Sequence, residues 1–211
     1  GVITHEFLHS VGLPDLYRRS GTDGTPVGVW DIMASNSFFM QYPLSYQRYK
    51  LGWIPMQQIT RSGTYTLDPV SAPDSDTILY EIKTPMSASE SFMLEYRKKI
   101  TTNFSNLGFE TKIPSSGLLI YRVNKAVVNQ TNAWGDDYLY VYRPGETSTT
   151  ASAGDLFKSA LDPNSNRTGF GVADFDASLT DGTIFYSNGK NSGIVISDVK
   201  YNNDSSQISF H

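Results

Sequence analysis

Eleven residues near the start of the chain, His5-Glu6-Phe7-Leu8-His9-Ser10-Val11-Gly12-Leu13-Pro14-Asp15, restrict what it can become more than any other stretch. Two histidines four apart on an α-helix stand one above the other on the same face, so both imidazoles can reach a single metal ion. Glu6 follows the first of them, where its carboxylate can reach a metal-bound water rather than the metal, which is the place of a general base. Gly12 is suited to end the helix with a positive φ, and Pro14 cannot continue it. A turn there brings Asp15 back under the helix as a third, oxygen ligand, leaving the fourth position of a tetrahedral Zn²⁺ open. Two histidines at this spacing also occur on ordinary half-buried helices. Here, however, the chain has only three histidines, the third being His211, so both internal ones serve this motif.

The segment Gly28-Val29-Trp30-Asp31-Ile32-Met33-Ala34 supplies the second half of the pattern. The long form of the zinc motif is accompanied downstream by a tight turn whose Met forms an apolar floor beneath the metal without ligating it. Met33 is the first Met after the helix. Alone it would read as a core side chain, because a flexible thioether fills gaps well.

With these residues in place, the chain resembles the M6 metallopeptidases of the immune inhibitor A type, in the wider metzincin class. The resemblance is carried by HEFLHSVGLPDLY at residues 5–17, VGVWDIMAS at 27–35 and YQRYKLGWI at 46–54. It extends through SFMLEYR at 91–97, SGLLIYRVN at 116–124, GDLF at 154–157 and GKNSGIVISDV at 189–199. Metzincins at large carry a His where this chain has Asp15, and the Asp form is similar to M6 members. Many of those also have a His in the segment equivalent to Leu119–Val123, where Tyr121 and Arg122 stand here. The resemblance implies a secreted or cell-surface bacterial endopeptidase, with Zn²⁺ as cofactor and a protein or peptide as substrate. It also implies an N-terminal subdomain that walls one side of the cleft. Only four residues precede His5, so the expectation is a chain lacking that subdomain and weak or inactive as a protease by itself.

Composition narrows the remaining classes. A 211-residue chain that is 39% hydrophobic and 13% aromatic can fill one large or two small cores. Its net charge is -4, and the one basic run, Arg97-Lys98-Lys99, is too short to track a polyanion, which argues against nucleic acid. No apolar run approaches the ~20 residues of a membrane span. The absence of Cys excludes a disulfide framework and a thiol nucleophile.

The expected order is a helix over about residues 2–12, a long loop to about 42, and a short helix from Pro43 to Gly52. In the loop Trp30, Phe38, Phe39 and Tyr42 are candidates for cleft walls or for packing beneath the helix. Beyond Pro55 the apolar period becomes two. Runs at residues 64–67, 77–83, 92–96, 118–123, 138–142, 184–186, 193–199 and 207–210 predict strands. The predicted class is therefore α+β and predominantly β. Residues 1–55 form the motif helix, the Met33 turn and a short helix; residues 56–211 form an antiparallel sandwich or barrel with its own core. Asp162, Asn164 and Asn166, followed by Asp174, Asp176 and Asp181, offer oxygens for a possible Ca²⁺. The bidentate Glu of an EF-hand is missing, however, and turn chemistry explains the same residues better. The alternative to a peptidase is a binding or scaffold module in which the metal site is vestigial.

Overall fold

The computed structural model of the chain describes residues 1–19, 24–36, 40–72, 74–100, 109–146, 154–171 and 182–211. Strands outweigh helices. The helices are α1 (Val2–Ser10) and α2 (Ser45–Lys50). The strands are β1 (Gln57–Ile59), β2 (Tyr65–Leu67), β3 (Leu79–Ile82), β4 (Glu90–Arg97), β5 (Gly117–Asn124), β6 (Leu139–Val141), β7 (Lys200–Tyr201) and β8 (Ile208–Phe210). None of the described helices is long and apolar enough to cross a membrane.

Both helices stop where glycine allows it. Gly12 takes φ +100° and Gly52 takes φ +74°. The N–H of Leu13 returns to the Leu8 carbonyl at 3.1 Å and that of Trp53 to the Arg48 carbonyl at 3.0 Å, satisfying carbonyls that have no partner inside the helix.

Two sheets follow. The larger has the order β1-β3-β4-β5-β6 and the smaller β2-β8-β7. Neighbours are antiparallel except β1, which runs parallel to β3. The reason is topological: β2 lies between β1 and β3 in sequence but belongs to the smaller sheet, so the chain leaves and re-enters the larger one in the same direction. The predicted strands at 184–186 and 193–199 form isolated bridges, Phe185 to Asn191 and Phe170 to Ile196, instead of ladders. β1 and β7 were not foreseen.

Side chains of β4 and β5 alternate between two apolar layers, as the period of two requires. Met93, Leu119, Tyr121 and Val123 point into a layer shared with Leu8, Leu13, Leu16, Trp30, Ile32, Met33 and Leu44 of the first 55 residues. Phe92, Leu94, Tyr96, Leu118 and Ile120 point the other way, onto Leu67, Ile208 and Phe210 of the smaller sheet and Leu161, Phe170 and Phe185 of its connections. The larger sheet is thus covered on both faces. Its outer layer belongs to the β-rich part alone, and its inner layer is completed by the segment that carries the metal motif.

On the inner face Arg97 is fully buried. It donates to Glu110 Oε2 at 2.8 Å, to Glu95 Oε1 at 3.1 Å and to the Trp30 carbonyl at 2.6 Å. Glu110 in turn accepts from the Tyr42 N–H at 2.9 Å, and Glu95 accepts from the Ser45 N–H at 2.6 Å. The backbone at Trp30, Tyr42 and Ser45 therefore hangs on buried charges of the sheet region.

Candidate metal centre

α1 turns His5 and Leu8 toward the core and leaves Val2, Ile3 and Phe7 exposed. His9, one turn beyond His5, has its ring centroid 4.7 Å from that of His5 at an interplanar angle of 87°. Each ring is anchored through Nδ1: His5 to the Ile32 carbonyl at 2.9 Å and His9 to the Leu13 carbonyl at 2.8 Å. A carbonyl only accepts, so Nδ1 carries a proton in both rings, and in the neutral form of each ring Nε2 keeps its lone pair. This is the arrangement of metal-ligating histidines, whose second nitrogen is tied to a backbone or carboxylate acceptor.

The turn after Gly12 brings Asp15 to these free nitrogens. Its Oδ1 lies 3.4 Å from His5 Nε2 and 3.1 Å from His9 Nε2. Oδ1 is buried and has no hydrogen-bond partner. Its companion Oδ2 is approached by Arg19 Nη2 at 3.3 Å. Among the described residues these three form the one group able to hold a metal ion, with donor atoms all within 4.8 Å of one another. Two ligands on a tetrahedral Zn²⁺, each about 2.0–2.2 Å from the ion, stand roughly 3.3–3.6 Å apart; the His5–Asp15 spacing of 3.4 Å lies in that range and the His9–Asp15 spacing of 3.1 Å just below it. With both rings neutral, the buried acceptor oxygen faces two lone pairs, an arrangement that a cation between them would relieve.

Burial grades across the site. The side chains of His5, Asp15 and His9 are 4%, 11% and 35% exposed, so the centre opens toward His9. Glu6, beside His5, lies on the exposed side of α1. It is near enough to Tyr17 to act on that phenol, which burial, the Asp15 carboxylate and a hydrogen bond to Asp15 push up, with Glu6 adding to the rise. Trp134 is 71% exposed and lies under the Arg19 guanidinium, 4.9 Å from its ring centre.

Met33 is fully buried in the core layer that also holds Leu8, Leu13 and Leu16. The turn that carries it braces the site twice through backbone, the Ile32 carbonyl holding His5 and the Met33 carbonyl accepting from Leu16 N–H at 2.9 Å. Asp31 clamps this turn, its two oxygens accepting from the N–H groups of Met33 and Leu44, each at 2.7 Å. Burial pushes the Asp31 carboxyl up to about 7, while those two bonds favour the ionised form. Trp30 is packing and not a cleft wall: it is fully buried, and its indole N–H donates to the Leu156 carbonyl at 2.8 Å. Tyr42 stacks on Phe109 with centroids 4.7 Å apart. Phe38 and Phe39 lie outside the described residues.

The calcium candidates divide in the same way. Asp162 caps a short 3₁₀ turn at Pro163–Ser165, accepting from Asn164 N–H at 3.0 Å and from the Tyr201 hydroxyl at 3.0 Å. These are turn and packing bonds. Asp174, Asp176 and Asp181 lie outside the described residues.

Tyr17, Arg19, Thr131 and Asn132 were not foreseen as neighbours of the site. Tyr17 and Arg19 follow Asp15 closely enough to be suspected. Thr131 and Asn132 gave no local signal, because they meet Asp15 across a separation of 116 residues or more.

No curated protein sequence matches the chain. The sequence family described as immune inhibitor A peptidase M6, catalytic domain, matches residues 1–44, the stretch that contains His5, Glu6, His9, Asp15 and Met33, and the match points to a peptidase.

Proposed function

We propose that the chain carries the metal centre of an M6-type zinc endopeptidase, with His5, His9 and Asp15 as ligands and Glu6 as general base. The observation that carries this reading is the convergence of two free imidazole lone pairs on a buried carboxylate oxygen with no other partner. A Zn²⁺ bound there supplies Lewis acidity, polarising a scissile carbonyl and lowering the pKa of water toward ~7.

The protein's own groups supply the rest. The Ile32 and Leu13 carbonyls fix the rings in the tautomer that leaves Nε2 free. Glu6, on the solvent side of the same helix, takes the proton of the attacking water and hands it to the leaving amine. Tyr17 and Arg19 hold the Asp15 carboxylate from its other side. Substrate enters from the open, His9 side, with the exposed Tyr17 and Trp134 nearby.

The test uses the 211-residue chain, measured for zinc content and for chelator-sensitive cleavage of casein and of unstructured peptides. Glu6→Gln should keep stoichiometric zinc and abolish cleavage, since the ligands are untouched and only the base is lost. Undiminished turnover in that variant would remove Glu6 from its role. A chain that takes up no zinc would count against the reading.

A further inference from the structure

The third ligand comes from a stretch without regular structure. Between the end of α1 and Tyr17 the chain has neither helix nor strand, so no regular element fixes Asp15, and its near neighbours Tyr17 and Arg19 meet only its carboxylate. What holds its backbone comes from the β-rich part. The Asp15 backbone carbonyl accepts from the Thr131 hydroxyl at 2.6 Å and from the Asn132 N–H at 3.3 Å. The Thr131 oxygen itself accepts from Ala133 N–H at 3.1 Å, so its single proton is committed to Asp15.

Asn132 is fully buried, and its carboxamide is used on every side. Nδ2 donates to the Leu16 carbonyl at 3.2 Å and to the Leu139 carbonyl at 2.8 Å, while Oδ1 accepts from Leu139 N–H at 3.0 Å. Only one orientation of the amide satisfies these three bonds, because the reversed one would face an N–H with an NH₂. Leu139 opens β6, so the bonds run directly from the larger sheet to the residues beside the metal site. Arg19 N–H, donating to the Ala133 carbonyl at 3.4 Å, closes the clasp beyond Asp15.

We infer that Thr131 and Asn132 are positioning residues for the metal centre, and that the loop between β5 and β6 is a working part of it. The inference rests on the metal reading above. Its physical content is pre-organisation: a ligand already held in place need not be ordered when the ion binds, so the conformational entropy is lost at folding and not at metal uptake. Asp15 Oδ1 is thereby kept facing His5 and His9 in the metal-free chain.

Thr131→Val removes the proton donated to Asp15 and nearly preserves shape; Thr131→Ser keeps the hydroxyl. Zinc affinity is read by competition with a chromophoric chelator, and ligand geometry by the visible absorption of the Co²⁺-substituted protein. The Val variant should bind zinc at least about tenfold more weakly and show altered Co²⁺ bands, in line with the usual cost of losing an outer support of a metal ligand. The Ser variant should restore both. Equal affinity and identical Co²⁺ spectra in the Val variant and the unmodified chain would overturn the inference while leaving the metal centre standing. An unmodified chain that binds neither ion would sink the metal centre, and the inference with it. Should the Val variant fail to fold, hydrogen exchange on the unmodified chain decides: zinc should slow exchange of the Asn132 N–H, and no change there would overturn the inference.

Discussion

The two halves of the candidate metal centre are built by opposite means. His5 and His9 are spaced by one element: a helical turn separates them, and the anchor of His9 lies four residues further on, at Leu13; only the His5 anchor, Ile32, is distant. Asp15 is placed by the rest of the molecule, through Thr131 and Asn132 from the sheet region and through the Met33 turn. That turn hangs in its own right on Asp31 and on the buried Arg97 network. Local geometry can bring two ligands together cheaply, whereas a third from irregular chain needs long-range bonds to hold it.

The largest expected effect strikes the long-range half. Arg97→Met leaves the buried Glu95 and Glu110 carboxylates without their cation and the Trp30 carbonyl without its donor. Loss of one partner from a buried ion network typically costs about 3–5 kcal/mol. The variant should unfold well below the parent in urea and bind zinc poorly, although α1 and its two histidines are unchanged. An unaltered urea midpoint would show that the turn does not depend on the sheet, and the contrast between the halves would fail.

A second perturbation belongs to the β-rich part but lies away from the ligands. Burial pushes the Glu146 carboxyl up to about 8 from an ordinary 4.5; the Tyr140 hydroxyl, the Arg143 N–H at 3.0 Å and the Arg143 charge oppose that shift. With the folded value raised, the stability this group contributes is complete below pH 4.5 and is lost as pH rises toward about 8. Asp31 acts in the same direction between 3.8 and about 7. Glu146→Gln should flatten the fall in stability over the Glu146 window by at most about 1.4 kcal/mol per pH unit. Zinc affinity should stay as in the parent. Parallel stability profiles for variant and parent would show that Glu146 does not hold its proton in the folded chain.

The smallest effect is expected at Met33. Met33 contributes volume and a backbone carbonyl, neither of which Leu removes. Met33→Leu should cost less than about 1.5 kcal/mol, as volume-conserving core exchanges do, and leave zinc binding intact. Loss of zinc in a variant that remains folded would mean that the thioether does more than fill space.

The contrast also explains what was legible in the sequence. The histidine pair, the stop at Gly12, the return of Asp15 and the turn at Met33 all follow from spacing and from the conformations Gly and Pro permit, and each is present in the structure. Strands β3 to β6 of the larger sheet are visible because burial on both faces left apolar residues at alternate positions in each direction. β1 and β7 are too short to show a period, and the runs around Phe185 and Ile196 are apolar because they cover the outer face without extending a sheet. Trp30 could not be told from a cleft wall, since an aromatic in a loop looks the same whether it faces solvent or the core. The long-range support of Asp15 could not be read: Thr131 and Asn132 are ordinary loop residues until the fold brings them to it.

The central claim is that His5, His9 and Asp15 bind one ion together, and X-ray absorption at the zinc edge of the zinc-loaded chain tests it most directly. The account predicts one tightly held Zn²⁺ per chain, with two imidazole nitrogens and oxygen donors at about 2.0–2.2 Å, and loss of one oxygen donor or of the ion itself in Asp15→Ala. A chain that takes up no stoichiometric zinc, or an ion whose coordination is unchanged when Asp15 is replaced, would contradict it.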